Sequence, residues 1–435
     1  MDSPKDISPL SRISTRGMNR RGLVKSMVAV GGVIVFNGYG RPDSVFAQDK
    51  VTIKQWYHEY GEEGTHDAVM RYAEEFTAAN PSIAVDVNWQ AGTYGDALNA
   101  ALLTDDAPDV FEQNVPTLDQ VKQNQIAPLD DLYSEEVKAD FNPLDLAAGT
   151  IDGKIYWVKM IDDTGCIYYR KSALEAAGVT PPTSLDQLIE AAKTLDTGRQ
   201  KGLFVGNDGG ISALLGPLMW SAGGEYLTDD NKPAFNTERV AAAYGKLKTL
   251  NDSGALLIGA PTDYWDPSAF IQQLTAMQWT GLWAMPQINR EVGDDYGVIP
   301  WPKSDDEGQP STFNGGWGEC VFGKSKNLEA AKTLVKWLWI DNADIQKDWC
   351  VGYGFHVPPR ASTAATTEQL ESGTAAEVVK NLADYGHGTP PLWDGTMGTA
   401  LTQALTNVVQ NGADPAAELA AAEEAVQAEL DRLLG

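Results

Sequence analysis

The sequence predicts an α/β fold in which mainly parallel sheets are covered by helices, spread over two or three domains. Three observations predict it. Short apolar runs alternate with helical patterns in a β-α-β-α-β series that begins at residue 51. The same grammar restarts near residue 165. With 435 residues, 43% hydrophobic and 9% aromatic, the chain is too long for one small domain and too apolar to be disordered.

The elements follow in order. Residues 51–56 read as a strand, 65–79 as an amphipathic helix ended by Asn80-Pro81, and 83–89 as a strand with period-2 alternation. A helix over 94–103 and a buried strand over 108–111 complete the first series. In the second half, 165–169 is a strand, 171–178 a short helix closed by Gly178, and 184–195 a helix with Thr183 as its cap. Helices are expected near 211–222, 238–252, 267–276, 327–340, 374–383, 396–410 and 414–433, and strands at 277–281, 296–299 and 318–322.

The N-terminus stands apart. Arg20-Arg21, an apolar stretch from Met27 to Phe36, and Val45-Phe46-Ala47 resemble a twin-arginine export signal with cleavage after Ala47. The apolar run is too short to span a bilayer. Residues 1–47 carry seven basic and three acidic residues, so their removal takes the formal charge from −27 to −31. A chain this acidic lacks the basic surface that nucleic acid or anionic lipid needs. The expected product is exported, periplasmic or extracellular, and soluble. Its acidity suits solubility, or docking on basic loops of a partner.

Reactive motifs are scarce. Cys166, Cys320 and Cys350 sit among apolar residues at long spacings, which reads as buried thiol; one disulfide with one free thiol is also compatible. The four histidines form no zinc-protease pattern, and there is no Cys-x-x-Cys, nucleophile elbow or P-loop. His58, Glu62 and His66 would share a face only in a helix, which Gly61 and Gly64 oppose, so no metal site and no cofactor is assigned. Adjacent carboxylates such as Asp105-Asp106 are expected by chance among so many acidic residues.

Aromatic and polar residues do accumulate at predicted strand ends, where open α/β sheets bind ligands. Trp56, Tyr57, His58, Glu59 and Tyr60 follow the first strand, Tyr94 begins a helix, and Glu112, Gln113 and Asn114 follow the third strand. Trp283, Trp317 and Trp393 lie beside Gly, Pro or turn residues. An indole face packs on the apolar face of a pyranose while carboxylates and amides meet its hydroxyls. Of the 13 Trp, those at 89, 220, 279, 337 and 339 read as core.

Several runs then match a known family in order and spacing. They include Gly153-Lys-Ile-Tyr-Trp157, Asp162-Asp163-Thr164-Gly165, Tyr168-Tyr169-Arg170-Lys171, Pro181-Pro182-Thr183, Ala107-Pro108-Asp109-Val110, Gly281-Leu282-Trp283 and Gly315-Gly316-Trp317-Gly318. From about residue 50 to 430 the chain resembles the sugar-binding extracytoplasmic solute-binding proteins of ABC importers, the maltose-binding-protein-like group. Before the strand leading to Trp283 it keeps Ala276-Met277 but lacks the glycine usual there.

The resemblance implies a two-lobed periplasmic-binding-protein fold with hinge-linked lobes and an interlobe ligand cleft. Lobe one would take 48–161 plus 301–345, and lobe two 162–300 plus 346–435. It implies ligand-binding roles for Tyr57, His58, Glu59, Tyr94, Asn114, Asp162, Asp163, Trp283, Gly316, Trp317 and Trp393. It implies a monomer that delivers a sugar, an oligosaccharide above all, to the permease subunits of an ABC importer, with no catalysis and no catalytic residues. Two alternatives stay open: the same fold holding a polyol or glycerol phosphate, and an exported glycan-active enzyme.

Overall fold

The structure, a computed structural model, describes residues 50–435. The expected export signal and its cleavage point after Ala47 lie outside the described residues. Among the described residues no helix is long and apolar enough to cross a membrane.

The chain builds two sheets. In the first, strands run in the order Ile83–Gln90, Val51–His58, Val110–Gln113, Gly315–Val321 and Val158–Asp163. Val51–His58 pairs parallel with Ile83–Gln90, from Val51 opposite Ile83 to His58 opposite Gln90. The crossover between them is the helix Thr65–Ala79, whose buried residues Ala68, Val69, Tyr72, Ala73 and Phe76 recur at helical spacing and face the sheet. It stops at Ala79 because Asn80 precedes a proline, which disfavours helical backbone.

The second sheet has the order Tyr296–Ile299, Gly165–Arg170, Thr275–Gly281 and Lys201–Phe204. These elements form the two-lobed α/β architecture, but the sheets are mixed where mainly parallel ones were expected. Gly315–Val321 runs antiparallel to both neighbours. In the second sheet only Thr275–Gly281 and Lys201–Phe204 run parallel. Strands Val158–Asp163 and Lys201–Phe204 were missed: the first is buried at every position, so it shows no alternation, and the second is four residues long. The helix Ala343–Val351 was missed as well. At 185–195 the cap is Ser184, whose hydroxyl accepts from the Gln187 amide, and Thr183 instead donates to the Gln187 side chain.

The chain passes between sheets at Thr164, where its hydroxyl meets that of Thr312 at 2.8 Å. It returns between Ile299 and Gly315. Along that return, Ser304 and Asp305 bond to Ser221, Lys246 and Arg239 of the second sheet's surroundings. Pairing with the first sheet therefore begins at Gly315, against the boundary expected at 301. A third link ties Asp162 and Val357 through two backbone hydrogen bonds of 2.9 Å. The three cysteines are free and buried. Burial pushes each thiol's pKa up, as expected for thiols used as packing.

Candidate functional site

The strand ends of the first sheet assemble an aromatic shelf. His58, the last residue of its strand, stacks on Trp317 with ring centroids 4.0 Å apart and planes 24° from parallel. Tyr60 covers it from another side at 3.8 Å. The orienting group is Glu112, fully buried at the end of the third strand. One of its oxygens accepts from His58 Nδ1 at 2.5 Å and also from the His58 backbone amide; the other accepts from the Tyr60 hydroxyl at 2.7 Å. Holding the proton on Nδ1 leaves Nε2 as the other polar edge of the ring.

The neighbours complete this frame. Tyr94 donates to the Glu112 carbonyl at 2.7 Å and meets Trp317 edge-on at 6.0 Å. Asn114 is exposed and its amide donates to the Gly316 carbonyl at 3.1 Å. Gly316 has φ +104°, and a Cβ there would lie 2.2 Å from the Ile161 carbonyl oxygen. Only glycine fits, and the strand register shifts just beyond it, between Trp317 and Gly318. Glu59 is exposed beside this group, its amide bonded to Gln90.

The hinge carboxylates behave differently from the expectation that they meet a ligand. Asp162 is 1% exposed and lies 3.4 Å from Lys159, which also sits 3.6 Å from Asp145. Burial and the neighbouring Asp145 push its pKa well up despite Lys159. Asp163 is buried against His356, with 2.5 Å between Oδ1 and Nδ1, and the other nitrogen of His356 lies 3.5 Å from Glu62. Burial alone would lower the imidazole's pKa, but Asp163 and Glu62 outweigh it and hold it at about 10. His356 is therefore a buried cation that ties the crossing strand to the loop after the first strand.

The other predicted residues divide. Tyr57 is 1% exposed and packs near Trp89 and Trp349, so its ring belongs to the core. Trp393 is 8% exposed and packs on Tyr226 at 4.5 Å, again as core. Trp283 is half-buried on the second sheet's side, away from the shelf, and donates to the Trp265 carbonyl at 2.9 Å. Trp265, which sequence reasoning passed over, is 49% exposed. Its ring reaches the first lobe, 3.8 Å from where a Gly61 Cβ would stand. An aromatic pair, Tyr264-Trp265, set in a turn segment between Pro261 and Pro267 was the available signal.

His58, Glu62 and His66 do not converge on a metal: they face Glu112, His356 and Asp67 respectively. Among the described residues, Asp119, Asp394 and Glu429 come close enough to share an ion, but Arg432 already pairs with all three.

A family model described as bacterial extracellular solute-binding protein matches residues 71–378. The chain belongs to this family. A curated relative from Deinococcus radiodurans, a probable ABC transporter-binding protein, is 28% identical over 224 residues. That alignment covers 47% of this chain and 51% of the relative, so the chain spans about half the length of the curated protein it matches. A solute-binding protein from Thermotoga lettingae bound with α-D-tagatose is similar in structure, with a TM-score of 0.75 and 22% identity over 88% of this chain and 100% of that one. The GacH receptor of Streptomyces glaucescens, studied unliganded and with acarbose, gives 0.73 and 26% over 88% and 99%. The site geometry can thus be read on a solute-binding frame.

Proposed function

We propose that this family member is an exported carbohydrate-binding protein that delivers a sugar, foremost an oligosaccharide, to the permease subunits of an ABC importer. The observation that carries this reading is the His58–Trp317 stack, held by buried Glu112 and rimmed by Glu59 and Asn114. An indole edge and face beside fixed acceptors and amide donors answer the two chemistries of a pyranose, its C–H face and its hydroxyls. The tagatose and acarbose ligands of the two structural relatives support a carbohydrate.

The chain's own residues bind and orient. Ligand seated on the shelf and reached by Trp265 from the second lobe would favour the closed arrangement through its greater affinity for that state, and the closed shape is what a permease recognises. No chemistry is assigned to the protein. Asp119, Asp394 and Glu429 lie close together, but all three are engaged by Arg432. The cations near the shelf and hinge, His356 and Lys159, are each engaged by two carboxylates, which disfavours a phosphate ligand. Export through the twin-arginine segment, cleavage after Ala47 and a monomeric mature form belong to the same reading.

Thermal shift and Trp fluorescence of the purified protein against mono- and oligosaccharides, polyols and glycerol phosphate test it. A ligand at about 100 times its Kd adds roughly 2.7 kcal/mol of stability. A shift with glycerol phosphate and with no sugar would overturn the carbohydrate reading, and release of shortened sugars would overturn the binding-only reading.

A further inference from the structure

The C-terminal helix reaches across to the first lobe. Helix Pro415–Leu434 packs with Gly395–Asn411 on Glu238–Asp252, and through it on Leu185–Leu195 beside the second sheet. In its last turn, Arg432 places one nitrogen 2.7 Å from Asp119 Oδ2 and another 3.5 Å from Asp119 Oδ1. Asp119 belongs to Leu118–Lys122, the short helix that follows the third strand of the first sheet. The contact is reciprocated: Lys122 of that short helix donates to the Leu433 carbonyl, one of the carbonyls that the end of the C-terminal helix leaves without an internal partner.

The guanidinium is aimed before it meets Asp119. Glu429, three residues earlier on the same helix, accepts from Arg432 Nε through both carboxylate oxygens at 2.9 Å, and Asp394 lies 3.8 Å away. Three carboxylates thus surround one cation, two from the second lobe and one from the first. The Arg432 side chain is 51% exposed and that of Asp119 34%, so parting them strands no buried charge. The short helix of Asp119 is tied in turn to the first sheet. Gln120 closes its capping box with Thr117 and exchanges amide bonds of 3.1 and 2.8 Å with Gln113, and the next residue, Asn114, donates to the Gly316 carbonyl.

We infer that Arg432 is an interlobe latch: its fork to Asp119 favours the arrangement in which the lobes meet, and so sets how readily the protein closes on a ligand. Rotation of one lobe against the other about the crossing at Thr164 would part the two residues. The ion pair therefore exists in one arrangement and not in the other, which is the differential interaction that shifts an equilibrium between them. A half-exposed pair of this kind biases that equilibrium by a few-fold and does not lock it. The latch follows from this chain's own side chains, and only its effect on affinity rests on the carbohydrate reading above.

Small-angle X-ray scattering of the purified protein without ligand tests the latch. Arg432→Gln and Asp119→Asn should each raise the radius of gyration, and the double variant should raise it no further than either one. Sodium chloride at about 1 M, which screens charges within about 3 Å, should move the wild type in the same direction and Arg432→Gln little. Circular dichroism confirms that the variants fold. In calorimetry with a sugar that shifts the melting point, each single variant should bind about two- to fivefold more weakly than wild type. Folded variants that scatter as the wild type does, or a double variant that opens by the sum of the two singles, would overturn the latch and leave the carbohydrate reading intact. Variants that open yet bind as tightly as wild type would overturn its influence on affinity. Failure of every sugar to bind would overturn the carbohydrate reading, while the scattering still decides the latch.

Discussion

His356 Nδ1 lies 2.5 Å from Asp163 Oδ1, although the two residues are 193 positions apart in sequence. Asp163 ends the strand that leads from the first sheet to the second, and the other nitrogen of the same ring faces Glu62 in the loop after the first strand. One buried imidazolium thus fixes the crossing segment against the loop that leads from Tyr60 toward Trp265.

This arrangement makes stability pH-dependent in a defined window. The folded-state pKa of about 10 exceeds the ordinary 6.5, so the folded protein holds this proton more tightly than the unfolded chain does. The contribution is complete below pH 6.5 and is lost as pH rises toward 10. His356→Gln should flatten the decline in urea-unfolding free energy between pH 7 and 9.5. His356→Ala should cost about 3 to 5 kcal/mol at pH 7, because two carboxylates are left without their cation. An unchanged pH slope in His356→Gln would show that the imidazolium is not held as described.

Trp317 and Trp393 should respond in opposite ways to the same substitution. Trp317→Ala removes a half-buried shelf residue and should weaken sugar binding about tenfold or more, with the melting temperature little changed. Trp393→Ala empties a core position between Tyr226 and Phe235 and should destabilise the fold by about 3 to 5 kcal/mol. Calorimetric titration and chemical denaturation of both variants separate the two roles.

Glu319 supplies a second pH signature, of lower range. Its burial, opposed by hydrogen bonds from Gln55 and Tyr57, raises the carboxyl pKa from 4.5 to about 7. Folding therefore takes up a proton, and this group's contribution is full below pH 4.5 and declines as pH rises to 7. Glu319→Gln should remove that decline, so the variant gains stability relative to wild type between pH 5 and 7.5. Parallel slopes for the two proteins in that interval would contradict the protonated assignment.

Gly316→Ala should damage the shelf without touching a ligand. Its Cβ would stand 2.2 Å from the Ile161 carbonyl oxygen on a backbone at φ +104°. The expected cost is about 1 to 3 kcal/mol of stability, with Trp317 displaced and sugar affinity reduced. Denaturation together with the Trp emission maximum reports both effects.

Much of the local structure was legible because the signals for it are local. The helices 65–79 and 238–252 were read at their observed limits, since helical spacing of apolar residues and a capping or breaking residue at the end act within a few positions. The structure brings Gly316 and Trp317, picked out in sequence by their glycine-rich run, together with His58, Tyr94 and Asn114. What local pattern does not encode is strand direction: nothing in residues 315–321 distinguishes a strand antiparallel to its neighbours from a parallel one.

The sequence by itself determined the periodic elements, the acidic charge and the family resemblance, because each is a property of neighbouring residues or of their order. The tertiary structure decided which aromatic rings join the half-buried shelf and which fill the core. Tyr57 and His58 are adjacent, yet one is sealed beneath Trp89 and Trp349 and the other stacks on Trp317. It also decided the pairings of Glu112 with His58, Asp163 with His356 and Arg432 with Asp119. Burial and charge pairing depend on residues tens to hundreds of positions away, so only the folded chain brings together the groups that set them.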